Sequence, residues 1–166
     1  PFDQVIRLQR ILHQNQVYWD PAAQMGDNSD AEFVFLCQWI PMDTFERMYP
    51  SAKIPTSDEF HDPETSDPLW VRGDGEDRAV LVAEYFYKEH NLRQRVLLQD
   101  GTVAFEDEIP EGALVREDVE PREYDDVTVQ WCKLTGVEIL DEEDWPGRYL
   151  PIVTVIGREL QPFDEE

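Results

Sequence analysis

The chain has 166 residues, close to the usual size of one domain, and its 41% hydrophobic content is enough for a packed core, which excludes wholesale disorder. Its 14 Lys and Arg stand against 37 Asp and Glu, and the formal net charge of -23 disfavours tight binding to nucleic acid or to anionic lipid. No apolar run approaches the roughly 20 residues that a membrane span requires, so no membrane contact is expected.

The opening stretch "VIRLQRILHQ" fits two kinds of secondary structure. Val5, Leu8, Ile11 and Leu12 have the spacing of one helix face. Ile6, Leu8 and Leu12 also fit the alternation of a strand. The pattern alone leaves both possibilities open.

Two segments alternate with the period of a β-strand. In the first, one face carries Phe33, Phe35, Cys37 and Trp39. The second is apolar on both faces, which predicts a central strand covered on both sides. Its faces carry Leu81, Ala83, Tyr85 and Tyr87 on one side and Val80, Val82 and Phe86 on the other.

Between these segments, "PMDTFERMYP" predicts a helix of about two turns. Asp43 is placed to cap it, with Glu46 three residues on, and Pro50 stops it. Phe45, Met48 and Tyr49 are expected to share one face of the helix.

Two hairpins follow. Segments 96–99 and 102–105 flank Asp100-Gly101, which suits a two-residue type I′ turn. Segments 127–132 and 137–140 flank a turn at Thr135-Gly136, and residues 152–156 are predicted as a last strand. Residues 51–78 and 111–126 read as long loops. The predicted fold class is α+β, predominantly antiparallel β, with one or two short helices and long acidic loops, in a single domain over residues 1–166.

No constellation of residues predicts catalysis. The glycines of "RGDGED" (72–77) lack the spacing of a phosphate loop, and "DNSDAE" (27–32) lacks the pattern of a calcium loop. His13, His61 and His90 stand far apart, without metal-site spacing. We therefore predict no catalytic residue, no cofactor and no metal site. Cys37 and Cys132 are expected to be buried free thiols, although the sequence also permits a disulfide between them.

Two aromatic turns are assigned a structural role. In Trp145-Pro146-Gly147, Pro fixes φ, Gly permits a reversal and Trp pins the turn onto the sheet, while the acids at 141–144 stay solvated. Trp19-Asp20-Pro21 is expected to act similarly, with the Asp20 side chain bonded to nearby backbone amides.

An ordered set of segments resembles the portal proteins of short-tailed, podovirus-type bacteriophages and related prophages. The segments are "VYWDPAA" (17–23), "SDAEFVFLCQWIPMDTFERMYP" (29–50), "VLVAEYFYKE" (80–89), the Asp-Gly hairpin at 100–101 and "VQWCKLTGVEILDEEDWPGRYLPIVTVIG" (129–157). They cover most of the chain. The stem helices and the clip of such proteins are absent and are expected to follow residue 166.

The resemblance implies a structural virion protein, assembled in the host cytoplasm as a ring, usually of twelve copies, at one capsid vertex. Through the ring the terminase motor packages DNA and the phage ejects it. By position the chain resembles the wing, which braces subunits and faces capsid and scaffolding proteins, while terminase and tail proteins attach through the missing parts. DNA passes without tight binding, and the opening segment is expected to be a strand running into 17–19.

In a ring, several residues are candidates for subunit contacts. Trp70 stands in a polar loop, where an exposed aromatic suits an interface. The scarce cations could meet a neighbour's acidic loop, or pair within their own subunit; they are Arg7, Arg10, Arg93 and Arg95. Two other classes stay open: an acidic DNA-mimic inhibitor, which should carry its charges as an array on one face, and a hydrolase built on an unsignatured carboxylate pair.

Overall fold

The structure is a computed structural model that describes residues 7–54, 70–73 and 75–155. Its centre is one seven-stranded, wholly antiparallel sheet, which agrees with the predicted α+β class. The elements in chain order are β1 (Val17–Trp19), β2 (Phe33–Pro41), α1 (Met42–Met48), β3 (Val71–Arg72), β4 (Ala79–Leu97), β5 (Val103–Phe105), β6 (Arg122–Leu134) and β7 (Ile139–Trp145). Short 3-10 turns occupy Gln14–Gln16, Gly75–Asp77 and Glu106–Glu108.

Strand β4 organises the sheet. The strand order is β1-β2-β4-β6-β7, and β3 and β5 pair with opposite ends of β4. Its central position is the predicted one, but it runs unbroken for 19 residues where the sequence suggested two separate strands. Residues 83–95 pair with β6, so each polar residue of "KEHNLRQ" still finds a backbone partner there. Pairing with β6 therefore keeps these residues in the strand, although their side chains alone do not predict a strand.

The two faces of the sheet differ in burial. The covered face includes four large residues that are nearly inaccessible, namely Val34, Val80, Phe86 and Val129. Helix α1 packs there, through Phe45 against Val80 and its neighbour Val82. On the opposite face the aromatic residues stay half-exposed. The pattern of period two located the strands but did not indicate which face the helix would cover.

The helix forms where it was predicted, but its capping differs. Pro41 occupies the N-cap position and no side chain caps the helix, so the prediction for Asp43 is wrong. Asp43 lies in the first turn, where a carboxylate is favoured by the helix dipole. Phe45 is fully buried, whereas Met48, three residues further along the helix, is 53% exposed.

The turn of the first hairpin is a three-residue loop, so the type I′ prediction is wrong. Leu98 N–H donates to Thr102 O (2.8 Å), and Gly101 N–H donates to Leu98 O (3.0 Å). Gly101 has a φ of 88°, while Asp100 has no positive φ. Asp100 instead accepts hydrogen bonds from the Thr102 amide and hydroxyl, which stabilises a type I turn followed by a left-handed residue.

Five further assignments are tested, in whole or in part, by the described residues. The hairpin of β6 and β7 is confirmed, with a register irregularity at Lys133/Leu134. Residues 7–13 form neither helix nor strand, and residues 152–155 form no strand, because neither segment pairs with the sheet. The loop predicted over 111–126 ends at Arg122, where pairing with β4 begins. Within 51–78, β3 forms at Val71–Arg72, while residues 55–69 and 74 lie outside the described residues.

None of the described helices is long and apolar enough to cross a membrane.

Candidate functional site

A band of aromatic side chains crosses the less covered side of the sheet, here called the aromatic face. Phe35 stacks on Tyr85 with ring centroids 4.3 Å apart, and Tyr85 stacks on Tyr87 at 4.9 Å. Phe33 meets both Phe35 (5.8 Å) and Tyr85 (6.0 Å) edge-on. The strand register brings these rings together, because Phe33 lies opposite Tyr87 and Phe35 opposite Tyr85. All four stay half-buried, and aromatic residues of this kind are enriched at protein interfaces.

The same face ends in an arginine cluster at the far end of β4. The Arg93 guanidinium lies 3.7 Å from the centroid of Phe105, and that of Arg95 lies 3.2 Å from the centroid of Tyr124. Arg93 also donates to three carboxylates, at 3.0 Å to Asp126, 2.8 Å to Asp107 and 2.6 Å to Glu108. These hydrogen bonds raise the pKa of Arg93, and the Arg93 bond lowers that of Asp107. Arg93 and Arg95 are therefore bound within the same chain, by aromatic rings and, for Arg93, also by carboxylates.

At the outer edge of the sheet, β7 carries four consecutive carboxylates. By register, Glu142 and Asp144 project onto the aromatic face, and Asp141 and Glu143 onto the covered face. All four are exposed, and no Lys or Arg of the described residues pairs with them.

Beside this edge lies a shallow depression with a volume of about 450 Å³. Tyr87 contributes aromatic surface to it, and Glu142 and Asp144 line its acidic side. Burial raises the pKa of the Tyr87 phenol, and the Glu142 carboxylate acts in the same direction. The depression thus combines aromatic surface with negative charge, the composition that binds cationic side chains.

His90 bridges two carboxylates on the other side of β4. Its Nδ1 lies 2.6 Å from Asp125 and its Nε2 lies 2.7 Å from Glu32, while Lys88 approaches Glu32 at 3.6 Å. Both ring nitrogens can donate only in the imidazolium, and these hydrogen bonds raise the pKa of His90. The bridge joins the segment before β2 to β4 and β6. No local sequence pattern indicates this bridge, because the three residues lie far apart in the chain.

The two predicted aromatic turns lie at the ends of the outer strands β7 and β1. Trp145 ends β7, its ring meets Phe86 edge-on at 5.5 Å, and a Cβ added to Gly147 would lie 2.7 Å from its Nε1. The absence of a side chain at Gly147 therefore leaves room for the indole. Pro146, between them, is exposed.

The earlier turn follows β1, which ends at Trp19. The buried Asp20 accepts hydrogen bonds from the Ala22 amide (2.8 Å) and the Glu32 amide (3.1 Å), and Pro21 is exposed. Asp20 thus joins the turn to the strand that follows.

The interface candidates lie in different surroundings. The half-buried Trp70 packs on the backbone of Gly136 in the β6–β7 turn, where an added Cβ would lie 2.5 Å from its Cδ1. Arg93 and Arg95 are held in the arginine cluster, whereas Arg7 and Arg10 are exposed in the segment before β1. A role of these residues in subunit contacts stays a prediction.

Among the described residues there is no group of His, Cys, Asp and Glu that could hold a metal ion. Cys37 and Cys132 are free thiols, and burial raises the pKa of each, which lowers their nucleophilicity. Their strands are separated by β4, a spacing of roughly 10 Å that a disulfide cannot bridge. His61 lies outside the described residues.

Sequence reasoning missed the arginine cluster and the His90 bridge. The one available signal was the alternation of Arg93 and Arg95 on a strand, which places both on one face. Phe105 and Tyr124 reach them only through the register of β5 and β6.

A family model described as phage P22-like portal protein matches residues 1–165. A search of curated proteins finds no match for the chain.

Proposed function

The chain belongs to the phage P22-like portal protein family, and from that membership we propose that it forms the wing-like part of a ring at one vertex of the capsid. Proteins of this family are structural components of the phage virion. In the proposed assembly, copies of the protein close into a ring, for which twelve copies is the expected number. The terminase motor packages DNA through it, the phage ejects DNA through it, and it bridges capsid and tail.

The charge of the chain supports a conduit that does not hold DNA. Each Lys or Arg that neutralises a phosphate raises affinity for DNA by releasing counterions. With 37 acidic against 14 basic residues, the chain offers few such contacts. Two of its arginines are already bound within the chain, Arg93 by carboxylates and Arg95 by an aromatic ring. A wing with this surface leaves the duplex free to slide.

The shape of the sheet supports an assembly role. One face is covered by α1, while the other presents half-exposed aromatic rings and ends in an acidic edge. Aromatic area beside charge is the composition of interfaces that bind selectively. We propose that capsid, scaffolding or neighbouring portal subunits contact the chain there, and that it has no catalytic role.

An acidic DNA-mimic inhibitor fits the structure less well. Such a protein needs its carboxylates arranged as phosphates are, along one face. The acids of β7 alternate between both faces of the sheet, and others pair with Arg93. The carboxylates of β7 therefore do not form the one-sided array that a DNA mimic requires.

The observation that carries the proposal is the family match over residues 1–165. Its test is to express the portal protein that contains this chain and to examine it by native mass spectrometry and negative-stain electron microscopy. We expect closed rings, and we expect the protein in purified virions. A protein that stays monomeric at every concentration and is absent from virions would refute the proposal.

A further inference from the structure

The segment before β1 exposes apolar surface to an unusual degree. Residues 7–13, here called the N-terminal arm, form neither helix nor strand, and within them Leu8 is 96% and Leu12 is 76% exposed. Exposed aliphatic side chains this close together usually mark a surface that another protein covers. The arm therefore lacks a partner within the described part of the chain.

The arm is also positively charged, although the protein as a whole is acidic. Residues 7–16 include Arg7 and Arg10 and no Asp or Glu, while the whole chain has a net charge of -23. Both arginines are exposed, and neither forms an ion pair with a described residue. A partner for the arm should combine apolar surface with negative charge.

The β7 edge has that combination. Among the described residues, only β6 pairs with β7, so its outer backbone groups are available for an added strand. The depression beside it presents Tyr87 together with Glu142 and Asp144. Elsewhere on the same face, aromatic rings and carboxylates already hold Arg93 and Arg95.

The periodicity of the arm matches that edge. In an extended segment Leu8, Arg10 and Leu12 lie on one face, and Arg7 lies on the other. If the arm is added to β7 as a strand, the Arg10 side chain lies on the same face as the Glu142 and Asp144 carboxylates. Leu8 and Leu12 then cover the depression on that face. Arg7 then meets the two carboxylates on the opposite face of β7, and each face gains opposite-charge pairs between neighbouring strands.

The two partners lie at opposite ends of the strand order. The arm leads into β1, one outer strand of the sheet, and the acidic edge is β7, the other. Two β7 edges would repel each other, since each carries four exposed carboxylates. A contact between the arm of one copy and the edge of the next is heterologous, and repetition of such a contact gives a ring when the rotation between neighbouring copies closes.

We therefore propose that the N-terminal arm of one copy adds to the β7 edge of the neighbouring copy, and that this contact joins subunits around the ring. The inference rests on the proposed ring-forming function. It assigns the arm and the edge to each other, and it assigns neither to capsid or scaffolding proteins.

The test uses two charge-reversed variants of the portal protein. The first carries Arg10→Asp, and the second carries Glu142→Arg and Asp144→Arg, the two carboxylates that Arg10 meets in the proposed contact. Every substituted residue is exposed, so each variant is expected to fold, which circular dichroism verifies. Each variant alone brings like charges together at every subunit contact. We expect each to need at least about tenfold higher concentration for half-maximal ring formation than the unmodified protein does.

An equimolar mixture of the two variants is expected to restore rings in which they alternate, because each reversed arm then meets a reversed edge. Native mass spectrometry with differently tagged copies counts the two kinds of subunit. Arg47→Asp with Glu111→Arg, at exposed sites outside the arm and the edge, should leave assembly unchanged.

The outcomes separate this inference from the proposed function. If the unmodified protein forms rings and either variant alone does so equally well, the inference is wrong while the function stands. A failure of the mixture to recover would also overturn it, since the arm and the edge would then have other partners. Crosslinks between Arg10→Cys and Asp144→Cys that form only within one copy would show that the arm binds its own edge, and would equally refute the proposal.

Discussion

Replacing Phe45 by Ala tests how α1 is held on the sheet. The Phe45 side chain has no exposed area, packs against Val80 and Val82, and lies 5.4 Å from the ring of Tyr49. Removal of a buried phenylalanine side chain typically costs about 3–5 kcal/mol. Since α1 lies at the surface and can move partly into the space, we expect a loss at the lower end, about 3 kcal/mol.

That loss is large for a domain whose total stability is on the order of 5–15 kcal/mol. It should lower the midpoint of thermal unfolding by about 6–12 °C. The seven residues of α1 are too few to form a stable helix alone, so the helix should also fray. Hydrogen exchange is expected to quicken over residues 42–49 more than over the central strand β4.

The measurement is urea unfolding followed by tryptophan fluorescence, with Met48→Ala as the matched control on the same helix. Met48 is 53% exposed, and its truncation should cost below about 1 kcal/mol. Phe45→Leu keeps most of the apolar volume and should fall between the two. Equal losses for Phe45→Ala and Met48→Ala would refute the reasoning that Phe45 anchors the helix.

Three further predictions concern pH, packing and DNA. Because the folded pKa of His90 is raised, its stabilising contribution should be complete below about pH 6.5 and be lost as the pH rises through the folded value. His90→Gln should remove this part of the pH dependence of the unfolding free energy, while His13→Gln retains it; parallel curves for His90→Gln and the unmodified protein would contradict the bridge. Gly136→Ala should displace the Trp70 ring and lower stability by about 1–3 kcal/mol, measured by urea unfolding; because the chain has five tryptophans, the fluorescence difference between proteins with and without Trp70→Phe reports this ring, and an unchanged difference would count against the packing. Fluorescence anisotropy with duplex DNA at physiological salt should show binding weaker than micromolar, and tighter binding would argue against the conduit.

The elements that the sequence predicted share one property, which is that a local pattern is sufficient to specify them. Alternating apolar residues in β2 and the first half of β4 marked those strands, and Pro50 marked the end of α1. The β6–β7 hairpin followed from its turn residues. Failures occurred where pairing with a distant segment decides the structure, as in residues 88–95, which stay in β4 because β6 runs beside them.

The candidate site was less accessible to sequence reasoning than the fold. The acids of β7 and the exposed arginines of the arm could be read directly, but their opposite positions on the sheet depend on strand order. His90 meets Glu32 and Asp125 across 58 and 35 positions of the chain, a juxtaposition that no local pattern records.

The sequence by itself determined the strand positions, the charge and the resemblance to portal proteins, because each depends on the kind and local order of residues. Only the tertiary structure decided which face of the sheet is covered. Both faces of β2 are apolar, and α1 packs on one of them, against Val80 and Val82 with Ile40 of β2 beside them. On the other face Phe33 and Phe35 stay half-exposed. The physical reason is that periodicity fixes how side chains alternate, whereas burial depends on where the next element of the chain comes to rest.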